Sequence, residues 1–252
     1  MKISIITPTY NSAATVRDTL ESVLSQQISD LEYIIIDGAS SDNTLQIIEE
    51  YQERLKIKLI SESDHGLYDA MNKGIELATG DIIGIINSDD FYKNGLILKK
   101  IIATFSAHSE IDACYGDLAF VETTNCQKIV RYWRAGKYNK KKLAYGWTIP
   151  HPTLFLKKEL YQKYGVFRTD LSLASDYEFI LRLFNAERVN VFYLPETLVY
   201  MRTGGSSSKN LKQRIRGWQE LKKAWTINNL AIPNFFIFRR LLNKLGQYLK
   251  LQ

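Results

Sequence analysis

Apolar positions along the first hundred residues recur with two alternating periods. Short β-branched runs, "KISIIT" (2–7), "LEYIIID" (31–37), "IKLISE" (57–62) and "GDIIGIINS" (80–88), read as buried strands. Between them, "SAATVRDTLESVLSQQ" (12–27) places Val16, Leu20, Val23 and Leu24 at helical spacing, with Ser12 as its N-cap. "SDNTLQIIEEYQERL" (41–55), entered through Ser41 or Asp42, and "LYDAMNKGIELA" (67–78) predict two more helices. Strands alternating with helices predict an α/β fold of βαβ units. Its central sheet is mostly parallel, covered on both faces and built with right-handed crossovers.

Beyond residue 110 the pattern changes. "DACYGDLAFVE" (112–122) and "KIVRYWRAG" (128–136) predict a β-pair around a turn near Thr124 and Asn125. "KKELYQKYG" (157–165) reads as a short helix stopped by Gly165, and "SDYEFILRLFNA" (175–186) as an amphipathic helix. "VNVFYL" (189–194) and "LVYMRT" (198–203) read as two late strands. "GGSSSKN" (204–210) reads as a flexible turn, followed by two helical stretches separated by Pro233.

Composition adds two constraints. With 252 residues, 45% of them hydrophobic and 24% charged, the chain can bury a sizeable core. The start "MKISIITPTYN" does not read as a signal peptide, and no run approaches the ~18 apolar residues a membrane span needs. Cys114 and Cys126 form no CxxC pair and suit ordinary thiols in a reducing cytoplasm. The net charge of +6 is uneven: from Met201 onward eleven Lys/Arg face one acid, Glu220, a net of +10, which leaves −4 for the first 200 residues. The basic tail therefore needs its own explanation.

Carboxylates fall at the ends of successive strands: Asp37 after the second, Asp64 after the third, Asp89 and Asp90 after the fourth. Ligands of open parallel sheets bind outside these carboxyl ends. A lone Asp there is an ordinary turn or cap residue, the reading that suits Asp42. The adjacent pair Asp89–Asp90 is different, because like charges cost energy unless a cation offsets them. Carboxylates with phosphate and water oxygens suit Mg²⁺ or Mn²⁺.

"ITPTYN", "DGASSDNT", "SDHGLYDAMNKGI" and "NSDD", in this order over roughly residues 1–205, resemble the family-2 glycosyltransferases of the GT-A fold, a Rossmann-like α/β architecture. The resemblance implies a GT-A domain over 1–205, with a nucleotide-binding half (1–110) and an acceptor-binding half (111–205), and a helical basic extension over 206–252. It further implies that Thr7, Pro8 and Tyr10 line the nucleotide base, that Asp37 accepts a base N–H, and that Asp64 faces the nucleoside. In the Asp-x-Asp-like stretch Ser88-Asp89-Asp90, Asp90 would bind the metal and Asp89 the donor ribose or sugar. Asn72 and Lys73 are either a solvated helix face or contacts to the diphosphate or sugar.

In "LSLASDYEFILRL", Ser175 suits the helix cap and Asp176 matches the family's catalytic base, with Glu178 a weaker candidate. Members of the family usually carry an acid where this chain has Ser175. His151, between Pro150 and Pro152, matches a stretch of related polysaccharide transferases and is expected on the acceptor or metal side. His65 is expected to be structural. "MRTGGSSS" resembles a loop that closes over the donor, with Arg202 placed to pair with the diphosphate.

The tail "NFFIFRRLLNKLGQYLKLQ" segregates Phe235, Phe238, Leu241, Leu242, Leu245, Tyr248 and Leu249 from Arg239, Arg240, Asn243, Lys244, Gln247 and Lys250. This suits an interfacial amphipathic helix, a peripheral membrane contact through 233–252, or a helix packed on the domain. The function expected is inverting transfer from a nucleotide-sugar donor, UDP-linked above others, to a glycan or polyprenyl-linked saccharide acceptor in surface polysaccharide synthesis. Such an enzyme would be cytoplasmic, at the cytoplasmic face of the inner membrane if the tail binds lipid. Two rival classes are a nucleotidyltransferase and a non-catalytic nucleotide- or nucleic-acid-binding protein. "TPTYNSAAT" lacks the basic Gly-rich signature of the first. The net negative charge of residues 1–200 disfavours nucleic acid as a partner.

Overall fold

The computed structural model describes residues 1–185, 189–204 and 211–248. The strands are β1 (Ile3–Thr9), β2 (Leu31–Asp37), β3 (Lys58–Ser61), β4 (Ile82–Ile85), β5 (Asp90–Tyr92), β6 (Ala113–Val121), β7 (Ile129–Trp133), β8 (Phe155–Lys157) and β9 (Val191–Arg202). The helices are α1 (Val16–Leu24), α2 (Thr44–Glu49), α3 (Gln52–Leu55), α4 (Leu67–Leu77), α5 (Ile97–Ala107), α6 (Lys140–Leu143), α7 (Lys158–Tyr164), α8 (Ser175–Asn185), α9 (Leu211–Ile227) and α10 (Phe236–Tyr248). One sheet runs in the order β3-β2-β1-β4-β8-β6-β9-β5, with β7 beside β6. It is parallel from β3 to β4 and mixed beyond, where β8 is antiparallel to both β4 and β6 and β9 is parallel to β6.

The apolar runs work on both faces because side chains alternate along a strand. Ile34 and Ile36 join one core cluster, with α4, α8, α9 and Phe236. Tyr33 and Ile35 join the other, under α1 and α5. The chain from 1 to 92 therefore carries a rigid rim at the C-terminal ends of β1, β2 and β4.

Several expected boundaries move. Helix 41–55 breaks into α2 and α3, and its Asp42 carboxylate accepts from Thr44 N at 2.9 Å and Ala13 N at 3.1 Å, the turn role expected of it. Ser12 does not cap α1 with its side chain. Helix α1 begins after Thr15, and Ser12 Oγ meets Ser88 Oγ at 2.8 Å, tying the α1 entry to the Asp89–Asp90 turn. The two expected late strands are one twelve-residue strand. β9 passes Pro195 through a bulge opposite Gly116, where a Cβ would stand 2.7 Å from Glu196 O. Of the expected "GGSSSKN" turn and donor-closing loop, residues 205–210 lie outside the described residues, as does the end of the tail from 249.

The C-terminal helices share the core of the domain. Phe236 is buried against Tyr177 and Trp225, with ring centroids at 6.0 and 5.6 Å, and Trp225 Nε1 donates to Tyr177 OH at 3.0 Å. One face of the tail thus packs on the domain. The other face carries Phe235, Phe238, Leu241, Leu242, Leu245 and Tyr248 exposed, Phe235 to 78%. Among the described residues no helix is long and apolar enough to cross a membrane.

Candidate active site

Asp37 closes β2 between Thr9 and Ser61. Its carboxylate accepts from Thr9 Oγ1 (2.9 Å), Ser40 Oγ (2.5 Å), Ser40 N (2.9 Å) and Ser61 Oγ (2.8 Å), and it is fully buried. Four donors saturate both oxygens. The base contact expected of Asp37 does not fit this arrangement; the residue is a post that fixes the rim. Thr7 is also turned inward, with Oγ1 3.1 Å from Tyr33 OH, and Pro8 is buried beside it. Of the expected base wall, Tyr10 alone is exposed, at 65%.

Asp64 holds the open position. Its Oδ1 accepts from Gly66 N at 2.8 Å, whereas Oδ2 lies 2.6 Å from the point where a Cβ on Gly38 would stand. The Tyr10 ring is 3.4 Å from that same point. Gly38 is the space into which Asp64 reaches, and Oδ2 is an acceptor facing the Tyr10 shelf. Lys73 stays on the wet face of α4, 2.7 Å from Glu62 and 3.8 Å from Asp69, and its amine is raised by the Glu62 hydrogen bond. Asn72 is spent on Phe167, donating to its carbonyl at 2.8 Å and accepting from its amide at 2.9 Å. Its expected donor contact is replaced by a clamp between α4 and the 165–174 loop. His65 is an exposed turn residue whose amide donates to Asp69.

The two adjacent carboxylates separate. Asp90 is the first residue of β5, paired with Met201, and is fully buried. Its Oδ2 accepts from Asn87 Nδ2 at 3.0 Å, while Oδ1 has no partner, and burial followed by the Asp89 charge pushes its carboxyl well above the usual range. Asp89 keeps solvent access and takes no donor but its own amide; burial raises it, and Arg202 opposes that rise.

The metal contact expected of Asp90 falls on a fully buried carboxylate whose Oδ1 has no partner, with Asp89 solvent-accessible beside it. The orphaned Asp90 Oδ1 behind Asp89 fits a cation drawn to the pair. Among the described residues no three His, Cys, Asp or Glu side chains gather into a metal-binding group. Arg202 does not reach outward to a diphosphate. It is buried, donates to Asp89 O at 2.7 Å and to Asp18, and lies over Phe91 at 5.1 Å, so it fixes the backbone that presents Asp89. Thr19 Oγ1 does the same for Asp90 O at 2.7 Å.

Asp176 stands in the first turn of α8, half-buried, and accepts from Tyr68 OH at 3.0 Å. His151 is buried edge-on to Phe167 at 5.3 Å; burial lowers its pKa and Asp176 raises it, so its charged neighbour is Asp176. Glu178 is excluded as an acceptor contact. It is fully buried and accepts from Arg182 Nε and Nη2 and Asn228 Nδ2, each at 3.1 Å. Ser175 does not cap α8: its Oγ is buried without a partner. The cap comes from Glu220 on α9, which accepts from Leu173 N (2.7 Å), Ala174 N (3.1 Å) and Ser172 Oγ (3.0 Å).

Sequence reasoning missed Tyr68, Glu220 and Arg240. Glu220 carried a signal as the sole acid in a basic tail. Tyr68 and Arg240 carried none, because each reads as an ordinary helix residue until α4, α8 and α10 are brought together.

Comparison with known proteins bears on the family and the fold. Residues 4–165 match the model of the family described as "Glycosyl transferase family 2". A "PGL/p-HBAD biosynthesis glycosyltransferase" of Mycobacterium bovis is 30% identical over 208 residues, covering 81% of this chain and 78% of that protein. Among solved structures, S. aureus TarS 1–349 in complex with UDP aligns over 100% of this chain and 76% of its own, with a TM-score of 0.69 at 22% identity. The mannosyltransferase PcManGT from Pyrobaculum calidifontis, in complex with GDP-Man and Mn²⁺, aligns over 99% of this chain and 70% of its own, with a TM-score of 0.66 at 20% identity. The GT-A-like sheet, its rim of carboxylates and the match over most of the chain make this protein a member of glycosyl transferase family 2.

Proposed function

We propose that the chain transfers a sugar from a nucleoside-diphosphate sugar to a hydroxyl of a glycan acceptor, in one displacement with inversion. The observation that carries this reading is the position of Asp176: solvent-accessible, in the first turn of α8, and held by Tyr68 OH from the helix that follows the nucleotide rim. A sugar hydroxyl is a poor nucleophile until it loses its proton. Asp176 Oδ2 takes that proton as the acceptor oxygen bonds to the anomeric carbon. The bond from that carbon to the β-phosphate oxygen breaks, and the nucleoside diphosphate leaves with its electron pair.

Asp64 Oδ2 beside Tyr10 is the base-reading acceptor in this scheme. Uracil offers it N3–H, whereas cytosine offers only a lone pair there, so UDP is favoured over CDP. The structural neighbours solved with UDP and with GDP-Man support a nucleotide-sugar donor. A divalent ion at Asp89, when bound, supplies positive charge to the leaving diphosphate. Arg202 and Thr19 hold the backbone that aims Asp89.

The acceptor is read as lipid-linked. The exposed stripe Phe238, Leu241, Leu242 and Leu245 on α10, in a segment with eight Lys/Arg and one acid between 211 and 248, fits an anionic membrane surface. Vesicle co-sedimentation with phosphatidylglycerol, lost in a Phe238→Ser/Leu242→Ser/Leu245→Ser variant, is the expected result. Equal binding of both proteins would remove the membrane reading.

The donor test is a thermal-shift panel of UDP, GDP, CDP and dTDP with Mn²⁺ and with EDTA. A nucleotide at ~100 times its Kd adds about 2.7 kcal/mol of stability. The expected shift is largest for UDP, falls in EDTA and is small for CDP. No shift with any nucleotide would overturn the reading.

A further inference from the structure

Beyond Asp89 the sheet sets β5, β9, β6 and β7 side by side. Their registers align one row of residues across these strands. Phe91 pairs with Tyr200, Tyr200 with Ala119, and Ala119 with Tyr132. Residues in register stand on one face, because side chains alternate along each strand. The small Ala119 therefore lies between two tyrosines, and the Phe91 and Tyr200 rings meet edge to face at 5.6 Å. Arg202 joins this row to the donor rim. Its guanidinium lies over Phe91 at 5.1 Å and donates to Asp89 O at 2.7 Å.

Neighbouring residues of the same strands are used differently. Leu118, Val199 and Tyr92 form the next row, on the opposite face, and enter the core under α1 and α5. Tyr115 and Tyr193, nearer the start of β6 and β9, enter the other core with ring centroids 5.4 Å apart. Their hydroxyls are spent, on Gly136 O at 2.7 Å and on Asp117 at 2.8 Å. Phe91, Tyr132 and Tyr200 join neither core cluster, and each keeps solvent access. Among the described residues neither Tyr132 OH nor Tyr200 OH has a hydrogen-bond partner. Burial, then the neighbouring Tyr132, raises the Tyr200 phenol, so its O–H stays a donor at neutral pH. A contiguous aromatic row left out of both cores, with free hydroxyls and beside a candidate site, marks a ligand surface.

We propose that Phe91, Tyr200 and Tyr132 form the platform on which the acceptor saccharide stacks. A pyranose has an apolar C–H face and a rim of hydroxyls. The aromatic rings meet the first, and the phenol O–H groups the second. From Phe91 to Tyr132 the row crosses three strand spacings, about 14 Å. That is longer than the single hexose of a donor, and the row leads away from Asp89 towards β7. The occupant is therefore an acceptor glycan of more than one sugar, laid across β9 and β6 with its reacting end towards Asp89. This assignment rests on the sugar-transfer reading above, with the donor diphosphate at Asp89.

The test is saturation-transfer NMR on the full chain with UDP and Mn²⁺. Maltose, cellobiose, lactose, chitobiose and mannobiose are the probes. At least one disaccharide should take saturation from the aromatic protons of the wild type. Tyr132→Ala and Tyr200→Leu should each weaken its binding about tenfold, as removal of a central aromatic anchor does. Tyr200→Phe keeps the ring and should retain most of the binding. Tyr132 lies in neither core and Tyr200→Leu keeps apolar bulk on β9, so melting temperatures should match the wild type. Failure of every disaccharide to bind the wild type, or equal binding by the wild type and both variants, overturns the platform.

Thermal shifts with UDP and with UDP-glucose, each with Mn²⁺, separate the alternatives. Both shifts should be the same in the wild type, Tyr132→Ala and Tyr200→Leu. A UDP-glucose shift lost in the variants, with disaccharide binding retained, would give the rings to the donor sugar and overturn the acceptor assignment. Absence of any nucleotide shift in the wild type would instead remove the transfer reading while leaving disaccharide stacking in place, so the two failures are distinguishable.

Discussion

Tyr68 OH donates to Asp176 Oδ1 at 3.0 Å, joining the helix after the third strand to the helix of the acceptor half. Burial, then the Asp176 charge, raises the phenol well above its usual range, so it stays a donor at physiological pH. Asp176→Asn should lower kcat by about 10²–10⁴-fold with UDP affinity unchanged. Tyr68→Phe should lower kcat about tenfold, the value of one hydrogen bond to a charged group. Steady-state kinetics with calorimetry of UDP binding checks both; full activity of Asp176→Asn would place the base elsewhere.

Asp89 and Asp90 should divide as exposure dictates. Asp89→Ala removes the accessible carboxylate, and the Mn²⁺-dependent part of the UDP thermal shift, about 2.7 kcal/mol at ~100 Kd, should vanish. Asp90→Asn retains the buried volume and the Asn87 contact and should keep most of that shift. The reverse order would return the metal contact to Asp90.

Glu220 positions Asp176 through the backbone of residues 172–174. Glu220→Gln halves the acceptor capacity at a helix N-terminus, where negative charge is favoured. It should cost about 2 kcal/mol of stability and lower kcat at unchanged donor affinity. Thermal melts paired with kinetics test this, and Glu220→Asp should recover part of both losses. A variant as stable as the wild type but with normal kcat would leave the tail acid without a role at the site.

His151 gives a pH signature. Its folded pKa lies below the ordinary 6.5 because burial disfavours the imidazolium, although Asp176 opposes this. The unfolded chain then binds the extra proton first, so stability should be full above pH 6.5 and fall as pH drops below it. His151→Gln should flatten that part of the stability–pH curve. An unchanged slope in the variant would assign the titration to another group.

Much of the donor half was legible because its signals are local. β-branched runs bounded by Asp and Gly predict β2 at its observed limits, Leu31–Asp37, and the stretch "LYDAMNKGIELA" predicts α4. Which of two equivalent side chains meets solvent was not legible. Asp89 and Asp90 are identical letters one residue apart, and strand β5, which pairs Asp90 to Met201 across 111 positions, decides which is buried. Asp37 and Asp64 divide in the same way: Ser40, Thr9 and Ser61 saturate the first, and the missing Cβ of Gly38 opens room for the second.

The sequence by itself determined the α/β class, the rim of acids at the strand ends, the family and the amphipathic tail, because periodicity and short motifs are properties of neighbouring residues. The tertiary structure alone decided that Glu220 caps α8, that Tyr68 reaches Asp176, and that Arg240 lies over Tyr177. Those contacts join residues from 46 to 108 positions apart. Hydrogen bonding and charge depend on distance in space, which chain order does not encode until the sheet and its helices have packed.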